Sequence, residues 1–413
     1  MAAYRTRLID ATIAELMAAL PAVMLVGPRA TGKTTSAKRQ AHSVVRLDRP
    51  VEAAPFRNDP DTLLASLDPP VLLDEWQLVP EVLPAVKRAV DDGTGVGRFL
   101  LTGSVRAELM QASWAATGRV VRVTQWGLCQ RELAGDVSLP SFFDRVFESG
   151  VRTFRPAPGE HNLRTYVELA LRGGFPELAL QDSATVRARW LDAYLDQLLL
   201  RDASLADERR DPVLLRRYLQ AVAANSAGVA EHKVIYDAAG ISRLSGVAYD
   251  SLLELQFVTE RLPAWHSNRL NRLTRSPKRY IIEPALLGPL LRVDTRAIIR
   301  DGDLLGRTID SFVLSQLRPE VEAAQHRVQL SHLRHERGTR EIDLIVDGQG
   351  GRMIAIEIKS NASPDADDAK HLAWFRDLMG DRFAAGIVFH TGPYQFNLSD
   401  RIDALPISCL WGT

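Results

Sequence analysis

Cysteine is nearly missing from this chain of 413 residues: Cys129 and Cys409 are its only two, far apart and without histidine-rich company. That argues against a disulfide framework and a cysteine-built zinc site, and fits a reducing compartment. Net charge is lacking too, because 51 Lys and Arg are matched by 51 Asp and Glu. No global field advertises a nucleic acid or a membrane surface, so any basic surface has to be local. Nor does any apolar run approach the ~18 residues of a membrane span, and the N-terminus has no leader-like pattern. The expectation is a soluble, cytoplasmic protein of roughly two to four domains.

Against that background one stretch stands out: Pro21-Ala-Val-Met-Leu-Val-Gly27-Pro-Arg-Ala-Thr31-Gly32-Lys33-Thr34-Thr35. Five apolar residues run into a glycine turn, and G-x-x-x-x-G-K-T then opens a helix, the pattern of a phosphate-binding P-loop. Gly27 and Gly32 permit a tight loop whose backbone N–H groups face phosphate oxygens. The helix that follows offers its positive end to the same anion. Thr31 and Thr35 belong to this cradle, Lys33 reaches the β- and γ-phosphates, and the Thr34 hydroxyl ligates Mg²⁺. The pattern predicts ATP and Mg²⁺ as cofactors.

A second short apolar run, Val71-Leu-Leu73-Asp74-Glu75, ends in two carboxylates. In a parallel sheet buried on both faces a strand reads as a continuous apolar run, and ligands collect at its carboxyl end. Asp74 is the expected Mg²⁺ holder and Glu75 the residue that orients the attacking water. Adjacent strand residues point to opposite faces, so the chain must turn for both carboxylates to reach one site. A third run, Arg98-Phe-Leu-Leu-Thr102-Gly-Ser104, offers Thr102 and Ser104 as polar groups near the γ-phosphate. Arg119, after Gly118, is a candidate to stabilise transition-state charge. A surface salt bridge is its equal alternative. A trans role would need subunits packed side by side.

Four segments follow from the patterning. Residues 1–150 alternate helix-like and strand-like runs and predict an α/β P-loop domain with a parallel sheet. Residues 151–210 read as a helical lid or connector, with Tyr166, Leu169 and Ala170 on one apolar face and Trp190, Leu191, Tyr194 and Leu195 on another. Residues 211–295 predict three helices, with Gly240 turning between the second and third. Two strands from Phe257 and from Arg279 complete a winged-helix module. Its wing, residues 261–279, carries Arg261, Arg269, Arg272, Arg275, Lys278 and Arg279 and offers DNA a backbone contact. A solvated basic loop is the alternative. Asp250 and Glu254 on the third helix speak against base readout.

Residues 296–413 hold a second chemical pattern. Glu341-Ile-Asp343 lies on one strand and Ile356-Glu357-Ile358-Lys359 on the next, with a glycine-rich turn between them. Period-two alternation puts Glu357 and Lys359 on one face, and Asp343 can share it. One Asp followed by Glu-x-Lys on a neighbouring strand is the metal-dependent nuclease arrangement of the PD-(D/E)XK superfamily. Asp343 and Glu357 would hold Mg²⁺, Lys359 would act on the water, and Asp310 on a preceding helix would add a further acid. A cross-strand salt bridge on a solvated face is the competing reading.

Taken in order, Gly27 to Thr35, Leu72 to Gln77, Leu101 to Ser104, Thr117-Gly-Arg119, Gly173-Gly-Phe-Pro-Glu177, Ser276 to Glu283, Glu341-Ile-Asp343 and Glu357-Ile-Lys359 resemble one family. It is that of the bacterial and archaeal AAA-type ATPases whose C-terminal half is a domain of unknown function. The resemblance spans nearly the whole chain and implies ATP binding, hydrolysis, a winged-helix module and a nuclease-like C-terminal domain. Thr102 then falls on the strand that senses the γ-phosphate. The chain departs from the family pattern at Asp310, where Glu is usual, and at Glu283, where Asp is usual. Two functions are open: an ATPase whose nucleotide state controls a Mg²⁺-dependent DNA nuclease, or a nucleotide-gated module that engages a protein or DNA partner through an inactive nuclease-like scaffold.

Overall fold

The computed structural model describes residues 4–106, 118–206, 211–267, 275–335 and 339–412. The chain divides into two compact units, residues 1–128 with 253–258, and residues 129–252 with 259–413.

In the first unit, β1 (Ala22–Val26), β2 (Ser43–Arg46), β3 (Val71–Asp74), β4 (Phe99–Gly103) and β5 (Val121–Thr124) form one sheet in the order β2-β3-β4-β1-β5. All neighbours run parallel. Every residue of β1, β3 and β4 is buried, which is why these strands read as unbroken apolar runs. Ile13 and Met17 of the helix Asp10–Ala19, with Ala37 of the helix Lys33–Lys38, share a core with Val23, Leu25, Leu72 and Leu100. The order sets β4 between β1 and β3, so three carboxyl ends lie side by side. The segment 253–258 belongs here as well. Arg106 donates from its backbone N–H to the Leu255 carbonyl at 2.8 Å, and the Trp126 and Phe257 rings meet edge-on at 6.0 Å.

The first unit closes at Leu128, not at residue 150 as the patterning suggested. The reason is packing: Phe142, Phe143 and Val146 enter the core of the second unit, and Arg131 forms a buried ion pair with Glu320 at 2.9 Å. In the second unit the helices Leu163–Arg172, Ala184–Ala206, Pro212–Ala224 and His232–Ala239, with the helix Arg243–Leu255 as far as Leu252, precede an antiparallel ribbon, β6 (Thr259–Leu262) and β7 (Lys278–Ile281). Gly240 ends the second of the last three helices at φ 68°, the left-handed region that favours glycine.

The ribbon leads to a six-stranded mixed sheet, β12-β13-β11-β10-β9-β8, made of β8 (Gln329–His335), β9 (Arg340–Asp347), β10 (Met353–Ile358), β11 (Phe383–His390), β12 (Phe396–Ser399) and β13 (Ile402–Pro406). β8, β9 and β10 are antiparallel, whereas β10, β11 and β13 run parallel. Alternation along β10 explains its burial on both sides. Ile354 and Ile356 share a core with Phe312 and Val313 of the helix Gly302–Ala323. Met353 and Ala355 share another with Leu372 and Phe375 of the helix Lys370–Met379. Cys129 and Cys409 are both buried and unbonded to each other, and burial pushes the Cys409 thiol up to about 12. Among the described residues no helix is long and apolar enough to cross a membrane.

Glu283, which follows the ribbon, is a buried carboxyl with two backbone donors, Gly174 N–H at 3.1 Å and Ala285 N–H at 3.4 Å. Gly173 is required beside it, because a Cβ there would come within 2.5 Å of the Glu283 Oε1. Burial pushes this carboxyl from 4.5 up to about 7. The folded state therefore keeps a proton that the unfolded chain has lost, and stability falls as pH rises from about 4.5 to about 7. Glu283→Gln should flatten that part of the pH profile of the denaturation midpoint. An unchanged slope in the variant would refute the assignment.

Candidate functional site

The loop after β1 is shaped by its glycines. Gly27 has φ 144°, and a Cβ there would meet the Gln125 carbonyl oxygen at 2.2 Å. Gly32 has φ 87° and opens the helix Lys33–Lys38. Lys33 is buried, and its ammonium donates to the carbonyls of Gly27 at 3.0 Å and Pro28 at 2.6 Å. Burial lowers it to about 8, against the opposing pull of Glu75 and Asp74. Thr31 is buried and donates to the Pro28 carbonyl at 2.9 Å, while Thr35 is exposed.

At the neighbouring strand ends, Asp74 Oδ1 accepts from the hydroxyls of Thr34 at 2.7 Å and Thr102 at 2.5 Å. Thr102 also accepts from the Glu75 N–H at 3.4 Å. Glu75 is the turn that the paired carboxylates required: its φ is 58°, a left-handed conformation costly for a residue with a side chain. Gln77 donates to its Oε2 at 2.5 Å. Ser104 is buried beyond the end of β4, and Thr102 is the β4 hydroxyl that meets Asp74.

Two braces escaped sequence reasoning. Buried Arg7 donates to the carbonyls of Thr31 at 2.9 Å and Trp126 at 2.6 Å, and Gln125 donates to the Thr31 carbonyl at 2.8 Å. Their targets are main-chain oxygens of distant segments, which leave no pattern of side-chain types to recognise.

Arg119 is corrected. It precedes β5, whose Val121 pairs with Val23 of β1, so it lies at the opposite end of the sheet from the Gly27 loop. At strand spacing that is about 20 Å, beyond the reach of an arginine side chain. It pairs instead with Asp91 at 2.7 Å, at the C-terminal end of the helix Val82–Asp91. A finger role toward its own chain's site is excluded. The neighbouring Thr117 lies outside the described residues.

In the second unit the structure brings Asp310, Asp343, Glu357 and Lys359 together. Asp343 Oδ2 accepts the Ile358 N–H at 2.9 Å, across the hairpin of β9 and β10. Lys359 donates to Glu357 Oε1 at 3.1 Å and lies 3.7 Å from Asp368. The unexpected member is Lys278 of β7. Its ammonium is buried, bonded to Asp310 Oδ2, and 2.9 Å from Asp343 Oδ1. Tyr280, two residues on and on the same strand face, donates to Asp310 Oδ1 at 2.9 Å.

Burial pushes Asp310 up to about 6. On Asp343 burial acts upward, but the adjacent Lys278 ammonium prevails and holds it below its usual range. Glu357 is pushed up to about 8 by burial and by Asp343, and its Oε2 is buried with no partner. Among the described residues no group of three or more His, Cys, Asp or Glu is gathered closely enough to hold a metal ion.

The basic wing is corrected in the same stroke. Lys278 and Arg279 are buried and spent inside the protein, Arg279 on Asp250 at 3.2 Å and the Tyr218 hydroxyl at 3.2 Å. Asp250, expected on an exposed helix face, turns inward for this contact. Arg275 donates to the Arg334 carbonyl at 2.9 Å, and Arg261 is exposed. Arg269 and Arg272 lie outside the described residues.

Comparison with known proteins gives the class region by region. Residues 20–134 match the model of the AAA domain, so the N-terminal region is similar to AAA-type P-loop ATPases. Residues 163–297 and 305–410 match two domains of unknown function, DUF8612 and DUF4143. Particular relatives are the uncharacterized proteins Rv2008c of Mycobacterium tuberculosis and Mb2031c of Mycobacterium bovis. Each is 29% identical over 397 residues, covering 94% of this chain and 80% of the relative.

From this geometry Arg119→Ala should leave nucleotide binding by the isolated chain unchanged. Its pair with Asp91 is exposed, so the denaturation midpoint should scarcely move in denaturant titration. A loss of nucleotide affinity in dilute, monomeric protein would contradict the placement.

Proposed function

We propose that this chain binds Mg²⁺-ATP at the loop after β1 and hydrolyses it, and that the nucleotide state controls what the second unit engages. The supporting observation is the convergence of Lys33, Thr34, Asp74, Glu75 and Thr102 at adjacent carboxyl ends of parallel strands. The residues fit the nucleotide. The Gly27 turn leaves no room for a side chain, and Thr34 and Asp74 present a hydroxyl and a carboxylate within 2.7 Å of each other. These two would hold Mg²⁺, which when bound supplies neutralisation of phosphate charge.

The chain's own groups do the rest. Lys33 gives up the carbonyls of its own loop for phosphate oxygens. Glu75, fixed in its left-handed turn and held by Gln77, orients a water and accepts its proton. Thr102 bonds both Asp74 and the Glu75 backbone, so a change at either carboxylate reaches the other.

For the second unit two readings follow. Convergence of Asp310, Asp343, Glu357 and Lys359 supports a Mg²⁺-dependent DNA nuclease under nucleotide control. The position of Lys278 between Asp310 and Asp343 favours the other, a nucleotide-gated module that engages a protein or DNA partner through a scaffold.

Lys33→Ala should abolish ATP binding in calorimetry. Glu75→Gln should bind ATP yet release phosphate roughly 100-fold more slowly. Hydrolysis at the wild-type rate by Glu75→Gln would sink the assignment of that residue. For the second unit, DNA cleavage with Mg²⁺ that disappears in Lys359→Ala would establish the nuclease. The scaffold reading expects no such cleavage, and partner or DNA binding that differs between ATP and ADP.

A further inference from the structure

We infer that the Lys278 ammonium is the resident cation of the C-terminal carboxylate cluster, so that this site is an internal charge clamp closed to divalent metal. The inference rests on the scaffold reading of the second unit. It takes issue with the resemblance, which assigns Asp310, Asp343 and Glu357 to Mg²⁺.

The donor set is already committed. Asp310 accepts from Lys278 at Oδ2 and from the Tyr280 hydroxyl at Oδ1 at 2.9 Å. Asp343 accepts from Lys278 at Oδ1 and from the Ile358 N–H at Oδ2, both at 2.9 Å. All four oxygens face hydrogen-bond donors, and one of those donors carries a full positive charge. A Mg²⁺ ion needs several oxygens at about 2.1 Å in near-octahedral geometry. Placing it between these carboxylates would set a dication against the buried ammonium. The third acid lies near Asp343 but stands outside the Lys278 clamp: Glu357 turns Oε1 to Lys359 at 3.1 Å and leaves Oε2 buried without a hydrogen-bond partner.

The clamp is also built by the fold and is no accident of a flexible side chain. Lys278 and Tyr280 are alternate residues of β7 and reach the same carboxylate of the helix Gly302–Ala323. Lys278 is 2% exposed, so bulk solvent has little access to take the place of its partners. The sequence signal is the short run Ser276-Pro-Lys278-Arg-Tyr280, which reads as basic surface until its alternation is followed into the neighbouring helix.

The test is Mn²⁺ binding by the full chain without nucleotide, followed by electron paramagnetic resonance of the free ion. Wild type and Asp343→Asn should give the same titration. Lys278→Met should gain about one Mn²⁺ per chain, lost again in the double variant with Asp343→Asn. Its melting temperature should rise with Mn²⁺, while that of the wild type should not. A Mn²⁺ site in the wild type that Asp343→Asn removes would overturn the inference, and this comparison does not depend on Lys278→Met folding. Folded Lys278→Met that binds no Mn²⁺ would overturn it too. Failure of the scaffold reading looks different: it is DNA cleavage by the wild type that Lys359→Ala abolishes.

Discussion

A buried ammonium has to be met by carboxylates, and the arrangement of the second unit follows from that requirement at Lys278. Taking such a charge out of water costs several kcal/mol, recovered only where geometry and further hydrogen bonds are good. Here Asp310 comes from a helix, Asp343 from the mixed sheet and Lys278 from the ribbon, so one contact joins three elements. The next residue of the same strand, Arg279, points the other way and meets Asp250, Tyr218 and His232. β7 is thereby pinned from both faces by charge, a stricter constraint on its register than apolar packing alone would impose.

The two carboxylate sites differ in one physical respect. Asp74 is held by neutral hydroxyls from Thr34 and Thr102, donors that can rotate and yield to a cation. Asp310 and Asp343 are held by an ammonium that brings its own charge. The first arrangement meets its carboxylate with rotatable dipoles; the second meets it with a fixed charge. Both look alike as short motifs, because a motif records the acids and not the groups that answer them.

That limit explains what was legible in the sequence. The Gly27 to Thr35 loop, the strand ends at Asp74 and Thr102, and the hairpin carrying Asp343 and Glu357 all rest on local periodicity, and each lies where its pattern put it. Residues whose fate depends on distant partners were misplaced. Arg131 carries its segment into the second unit because Glu320 lies there, 189 residues away in sequence. Lys278 and Arg279 counted as surface charge because nothing local shows that Asp310 and Asp250 await them. Arg119 follows the same logic: spacing showed an arginine after a glycine, while the strand pairing decided which end of the sheet it occupies.

Cys129 and Cys409, both buried, bear on a matter separate from catalysis. A thiolate is the reactive form, and a thiol shielded from solvent and raised to about 12, as Cys409 is, hardly forms it near neutrality. With Cys129 buried as well, the native chain is a quiet background for alkylating probes. A single new cysteine placed on either unit becomes a unique point of attachment for a fluorophore or spin label. Both native thiols lie in the second unit, so their own slow labelling is a clock for the opening of that unit alone.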